Sequence, residues 1–64
     1  MRIFIQTKNK MINKKFSGKV IDLLKKLNIN PETVIVVKNN NLITIDDIVE
    51  NKDTLRLLSV VSGG

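Results

Sequence analysis

The chain has 64 residues, with eleven Lys or Arg, six Asp or Glu and a formal net charge of +5. So short a polypeptide makes one domain and buries only about 60% of the surface its unfolded form exposes, too little scaffold for a deep site with several converging polar groups. Cysteine and histidine are absent, which excludes a disulfide framework, thiolate or imidazole metal ligation, and Ser-His or Cys-His nucleophilic catalysis.

The elements follow in chain order. Arg2 to Gln6 alternates β-branched and aromatic residues and is expected to be a strand, with Ile3 and Ile5 on one face and Phe4 on the other. Lys8-Asn9-Lys10 reads as a turn and Met11 to Phe16 as a returning strand. Ser17 is placed to cap a helix. Its apolar stripe, Val20, Leu23, Leu24 and Leu27, recurs at i, i+3, i+4 and i+7. Asp22 and Lys26, four apart, are expected to pair weakly on its solvent side. Asn28 suits the helix C-terminus and Pro31 bars its continuation.

Thr33 to Val37, all β-branched, suits a central strand. Asn39-Asn40-Asn41 makes a turn, since Asn tolerates positive φ, and Leu42-Ile43 a short strand. Asp46-Asp47 is read as capping a helical turn through Ile48 and Val49 rather than as an acid/base or metal pair. Glu50 to Asp53 is a polar loop and Thr54 to Val61 the last strand, leaving Ser62-Gly63-Gly64. The order β-β-α-β-β-β lays one helix across a mixed sheet in which the first and last strands are parallel neighbours. The expected core joins the helix stripe to Ile3, Ile5, Ile35, Val37, Leu55 and Leu57.

At this point the sequence resembles the ubiquitin-like superfamily, and within it the ThiS/MoaD family of sulfur carriers. Met1-Arg-Ile-Phe-Ile-Gln-Thr7 resembles the opening strand of ubiquitin, and Thr54-Leu-Arg-Leu-Leu58 its last strand. Val60-Val-Ser-Gly-Gly64 is similar to the approach to the terminal Gly-Gly of ThiS and MoaD proteins. The resemblance implies an α+β ubiquitin-like β-grasp. Its mixed sheet has four to five strands with one helix across it, in a single domain over residues 1–64, globular over 1–61, with a flexible Gly-Gly tail at 62–64. Many such carriers are acidic, whereas this chain is basic.

What the resemblance implies chemically is a carrier, not an enzyme. The Gly64 carboxylate, ionised at neutral pH, is a poor electrophile and needs activation. The chain has no phosphate-binding loop and no resident cofactor or metal is expected, so ATP is used by a separate adenylating enzyme of the ThiF/MoeB type. A sulfur donor protein then converts the adenylate to a thiocarboxylate at Gly64. An acceptor synthase or target protein receives the sulfur, for the thiazole of thiamine, for molybdopterin or for thiolated tRNA. Gly63 and Gly64, lacking Cβ, suit a narrow channel in the activating enzyme. The alternative is a modifier joined through Gly64 to lysines.

Strand alternation places Arg56, Leu58 and Val60 outward, with Val36 and Phe4 also outward, as the expected partner-binding surface. The basic residues fall in a turn, a strand and a helix face and only Phe4 and Phe16 are aromatic, so nucleic-acid binding by a basic β-grasp module is the remaining alternative and is not expected. No apolar run approaches the roughly 18 residues of a membrane span, and the opening residues lack a signal-peptide layout. A cytoplasmic protein away from membranes is expected.

Overall fold

The computed structural model describes residues 1–60. Val61, and the expected tail from Ser62 to Gly64, lie outside the described residues. The opening alternation forms β1, Arg2–Ile5. A 3₁₀ turn, Gln6–Lys8, follows and is closed by Asn9 at φ 46°, where its N–H donates to the Gln6 carbonyl at 3.0 Å. Strand β2, Lys10–Asn13, returns antiparallel and sets Ile12 opposite Ile3.

Ser17 does not cap the helix. Gly18–Lys19 forms a two-residue strand, β3, antiparallel to Ile48–Val49, and the helix α1, Val20–Lys26, begins directly after it. Its first free N–H groups find distant carbonyls: Val20 donates to Asp47 and Ile21 to Ile45, both at 3.0 Å. A cap supplied by backbone leaves no work for a hydroxyl. Asn28, at φ 56°, ends the helix as expected. Ile29 donates to the Leu24 carbonyl at 2.9 Å and Asn28 to that of Lys25 at 3.2 Å, the paired bonds of a Schellman motif. Lys26 does not pair with Asp22; its ammonium lies 5.6 Å from the centroid of the Phe16 ring.

Asn30 accepts from the Glu32 N–H and opens a 3₁₀ turn, Pro31–Thr33, that leads into β4, Val34–Lys38. Asn39 and Asn40, at φ 49° and 70°, make the two-residue hairpin to β5, Asn41–Ile43. Two successive positive φ values are what such a tight turn requires, and asparagine supplies them at small cost. Asp47 acts as a cap, but backwards: its carboxylate accepts from the Thr44 N–H at 2.8 Å and the Thr44 hydroxyl at 3.3 Å. The residues that follow are not helical but form β6, Ile48–Val49. The last strand, β7, runs from Thr54 to Ser59.

Five strands make one mixed sheet in the order β2-β1-β7-β4-β5, with β1 and β7 parallel at its centre. β3 and β6 form a separate small ladder. This is the ubiquitin-like β-grasp. One face of the sheet buries Ile3, Ile5, Leu55 and Leu57 beneath Val20, Leu23 and Leu24 of the helix, with Met1, Phe16 and Val49 closing the ends. Each fully buried Leu or Ile contributes about 1.5–3 kcal/mol by leaving water.

One strand is phased opposite to expectation. In β4, Val36 is 3% exposed and lies in the core, whereas Ile35 is 41% exposed and Val37 faces away from the helix. Pairing fixes this: Val36 sits opposite the buried Leu57, and directly opposed residues share a face.

Candidate functional site

Two places on the described residues bear on function: the sheet face away from the helix, and the end of β7 from which residues 61–64 continue. On the open face the register aligns one row across all five strands. Met11 lies opposite Phe4, Phe4 beside Arg56, Arg56 opposite Val37, and Val37 opposite Leu42. A second row places Leu58 opposite Ile35. Leu42 is 73% exposed and Met11 51%, while Phe4, Leu58 and Val37 are half-buried among their neighbours. The result is an apolar surface crossed by the Arg56 guanidinium and bordered by Arg2, the kind of contiguous patch that commonly marks an interaction site.

Of the surface residues expected from the sequence, Phe4, Arg56 and Leu58 share this face. Val60 is exposed just beyond β7. Val36 does not belong to it, because it lines the core; its place on the surface is taken by Ile35. Met11, Val37 and Leu42 were not singled out by the sequence. Met11 was legible, since it follows Phe4 across a tight turn, but Leu42 needed the observed phase of β4 to be found. Beside Ile35 and Leu42 the edge of β4 and β5 forms a shallow groove of about 360 Å³ lined by Val34, Ile35, Val36, Leu42, Ile43, Thr44 and Ile45.

The end of β7 is held from both sides. The Gln6 side-chain carbonyl accepts from the Ser59 N–H at 2.7 Å, across 53 residues of sequence. The Val60 N–H donates to the Thr33 carbonyl at 2.9 Å. One clamp comes from the turn after β1 and the other from the turn before β4, so the last described residues leave the sheet along a defined line. Neither Gln6 nor Thr33 carries a sequence signal for this. Gly63 and Gly64 lie outside the described residues.

Further from the site, Asp53 is buried and is held by the Glu50 N–H at 2.8 Å and by the Asn39 side-chain amide at 3.0 Å. The Asn39 side chain also accepts from the Thr54 N–H at 3.0 Å, so one asparagine ties the β4–β5 turn to the start of β7. The Glu50 N–H is the main cause holding the Asp53 carboxyl below its ordinary pKa. Burial works against it, while Asn39 and the charges of Lys38 and Lys52 assist. This carboxylate is a loop fastener. Among the described residues no three His, Cys, Asp or Glu side chains cluster as metal ligands do, and no helix is long and apolar enough to cross a membrane.

A β-grasp with an open apolar sheet face, and a last strand followed in sequence by Gly-Gly, defines the ubiquitin-like class of small proteins. Within that class the chain belongs to the small archaeal modifier protein 2 family, whose profile matches residues 6–61. It is 37% identical over its whole length, and over the whole of the relative, to the sulfur carrier protein TtuB of Thermus thermophilus. An uncharacterized protein of Archaeoglobus fulgidus is 44% identical over 43 residues, covering 67% of this chain and 63% of that one. Among solved structures, a thiamine biosynthesis protein from Geobacter metallireducens superposes on all of this chain and 88% of its own, with a TM-score of 0.59 at 25% identity. The likeness to ubiquitin-like sulfur carriers noted in the sequence is thus borne out.

Proposed function

We propose that this chain is a cytoplasmic sulfur carrier that works through Gly64. The reading rests chiefly on one observation: a full-length relative at 37% identity is a sulfur carrier. The doubly clamped end of β7, which Gly63-Gly64 follow closely in sequence, supports it. In the reaction, an oxygen of the Gly64 carboxylate attacks the α-phosphorus of ATP in a separate enzyme of the ThiF/MoeB type, and pyrophosphate leaves. Sulfur at the sulfide level, from a donor protein, attacks the resulting acyl carbon. AMP leaves with the bonding electrons and a thiocarboxylate remains at Gly64. That soft anion then delivers sulfur to an acceptor held by another protein. Phe4, Arg56 and Leu58, with Ile35 and Val60, dock the activating enzyme.

The acceptor chemistry includes thiazole formation, molybdopterin formation and tRNA thiolation. The first is favoured by the structural relative described as a thiamine biosynthesis protein. A second reading draws on the family description as a modifier: the same adenylate or a thioester derived from it passes Gly64 to a lysine amine as an isopeptide.

Intact-mass measurement after incubation with ATP, a cognate activating enzyme and sulfide tests both. Replacement of one oxygen by sulfur, lost when Gly64 is deleted, is the expected result. An unmodified carrier with Gly-Gly remnants on lysines of other proteins would replace the carrier reading by the modifier. No product of either kind with a competent enzyme would overturn both.

A further inference from the structure

The cations of this protein are concentrated in the first part of the sequence. Residues 1–26 hold eight Lys or Arg and one carboxylate, Asp22; residues 27–64 hold three Lys or Arg and five carboxylates. The first set belongs to the β1–β2 hairpin and the segment after it, β3 and the helix, and β2 is an edge strand of the sheet. Among the described residues the one ion pair, Lys52 with Glu50 at 3.6 Å, lies outside that set. Alternation along β2 puts Lys10 with the inward Ile5 and Lys14 beside Met1, so both flank Ile12 on the helix side of the strand. Lys26 comes over Phe16 to the same edge from α1.

At the foot of this edge lies a concavity of about 440 Å³ lined by Met1, Asn13, Lys14, Lys15 and Asn51. Its polar lining is biased toward donors. The Asn51 Oδ1 is already occupied by the Phe16 N–H at 2.6 Å, which leaves its NH₂ as the group on offer. With the two ammonium groups of Lys14 and Lys15, it makes a setting that suits an oxyanion.

We infer that this edge binds the phosphate backbone of a polynucleotide, with one phosphate in the concavity and its neighbours along Lys10 and Lys26. An acidic protein is the less fitting partner, because lysine is depleted from the cores of protein interfaces, and the exposed Met11, Ile35 and Leu42 lie on the open sheet face instead. Phe4 and Phe16 are the sole aromatic residues, and Phe16 is buried, so stacking is minimal and the edge reads charge, not base sequence. The concavity sits where β1 begins. Since β7 runs parallel to β1, its clamped end lies at the pole opposite the concavity.

The test is a titration of the full chain into fluorescently labelled 20-nucleotide RNAs of two unrelated sequences, across 50–200 mM KCl. Both sequences are expected to bind with similar affinity. In the double variant Lys14→Gln/Lys15→Gln the slope of log K against log salt should fall by about 1.4, from about 0.7 per lost phosphate contact on a single strand, and affinity at low salt by roughly tenfold. Lys38→Gln/Arg56→Gln removes the same net charge elsewhere and should change the slope little. In ¹⁵N–¹H spectra, RNA should shift the Asn51 and Asn13 side-chain amides and the Lys14 and Lys15 backbone. Spectra of the variants without RNA report that they are folded. Absence of binding at 50 mM KCl, equal losses in the two double variants, or tighter binding to polyglutamate than to RNA would each overturn the inference.

Discussion

Asp53 shows how a residue that does no chemistry can still govern the molecule. Its carboxylate receives the Glu50 N–H and the Asn39 amide at a position 6% exposed. Asp53→Ala leaves those donors without an acceptor and is expected to cost about 1–3 kcal/mol. Asp53→Asn, which keeps an acceptor for Glu50 but sets two NH₂ groups against each other, should cost less than the alanine. The pH dependence follows from the direction of the shift. The folded-state pKa is depressed, so the stabilisation is fully present above the ordinary unfolded value of about 3.9 and is lost as pH falls through the folded value. Thermal melts should therefore show wild type well above Asp53→Asn at neutral pH, with the gap closing below about pH 4. A gap that stays constant into acid would mean that Asp53 acts through packing alone.

At the scale of elements, what was legible depended on whether a segment's side chains differ between its two faces. The helix stripe from Val20 to Leu27, the phase of β1 and the alternation Leu55-Arg56-Leu57 each contrast apolar with polar or with differently sized neighbours, and each fell as expected. Val34 to Val37 offers no such contrast, because every residue is β-branched and apolar. Its phase is decided by pairing with β7, a contact between distant parts of the chain. The same is true of Ser17, whose capping role passed to carbonyls at residues 45 and 47. The open face could thus be half read from the sequence, through Phe4, Arg56 and Leu58, and half not. The phase is testable by the same substitution at adjacent positions. Val36→Thr buries a hydroxyl without a ready partner and should lose about 1–3 kcal/mol in denaturant melts, while Ile35→Thr, on the surface, should stay within about 0.5 kcal/mol. Similar losses at both positions would contradict the observed phase.

For the whole molecule, the fold keeps three tasks on separate surfaces. The inner sheet face and helix hold the structure together, the outer sheet face carries the exposed apolar row, and the clamped end of β7 precedes Gly64 in sequence. Such separation has a kinetic signature under the carrier reading. Leu58→Ser with Phe4→Ser weakens docking equally in the ground and transition states, so it should raise the activating enzyme's KM for the carrier with kcat nearly unchanged. Gly64→Ala leaves docking intact but puts a methyl group beside the reacting carbonyl. A displacement there of about 1 Å is enough for a loss on the order of a hundredfold, and the loss should fall on kcat. Pyrophosphate release at varied carrier concentration measures both. The double serine variant keeps the inner core, so its melting temperature serves as the control for folding. Should that variant lower kcat while leaving KM unchanged, the outer face would be acting on the chemical step and the division of tasks would not hold.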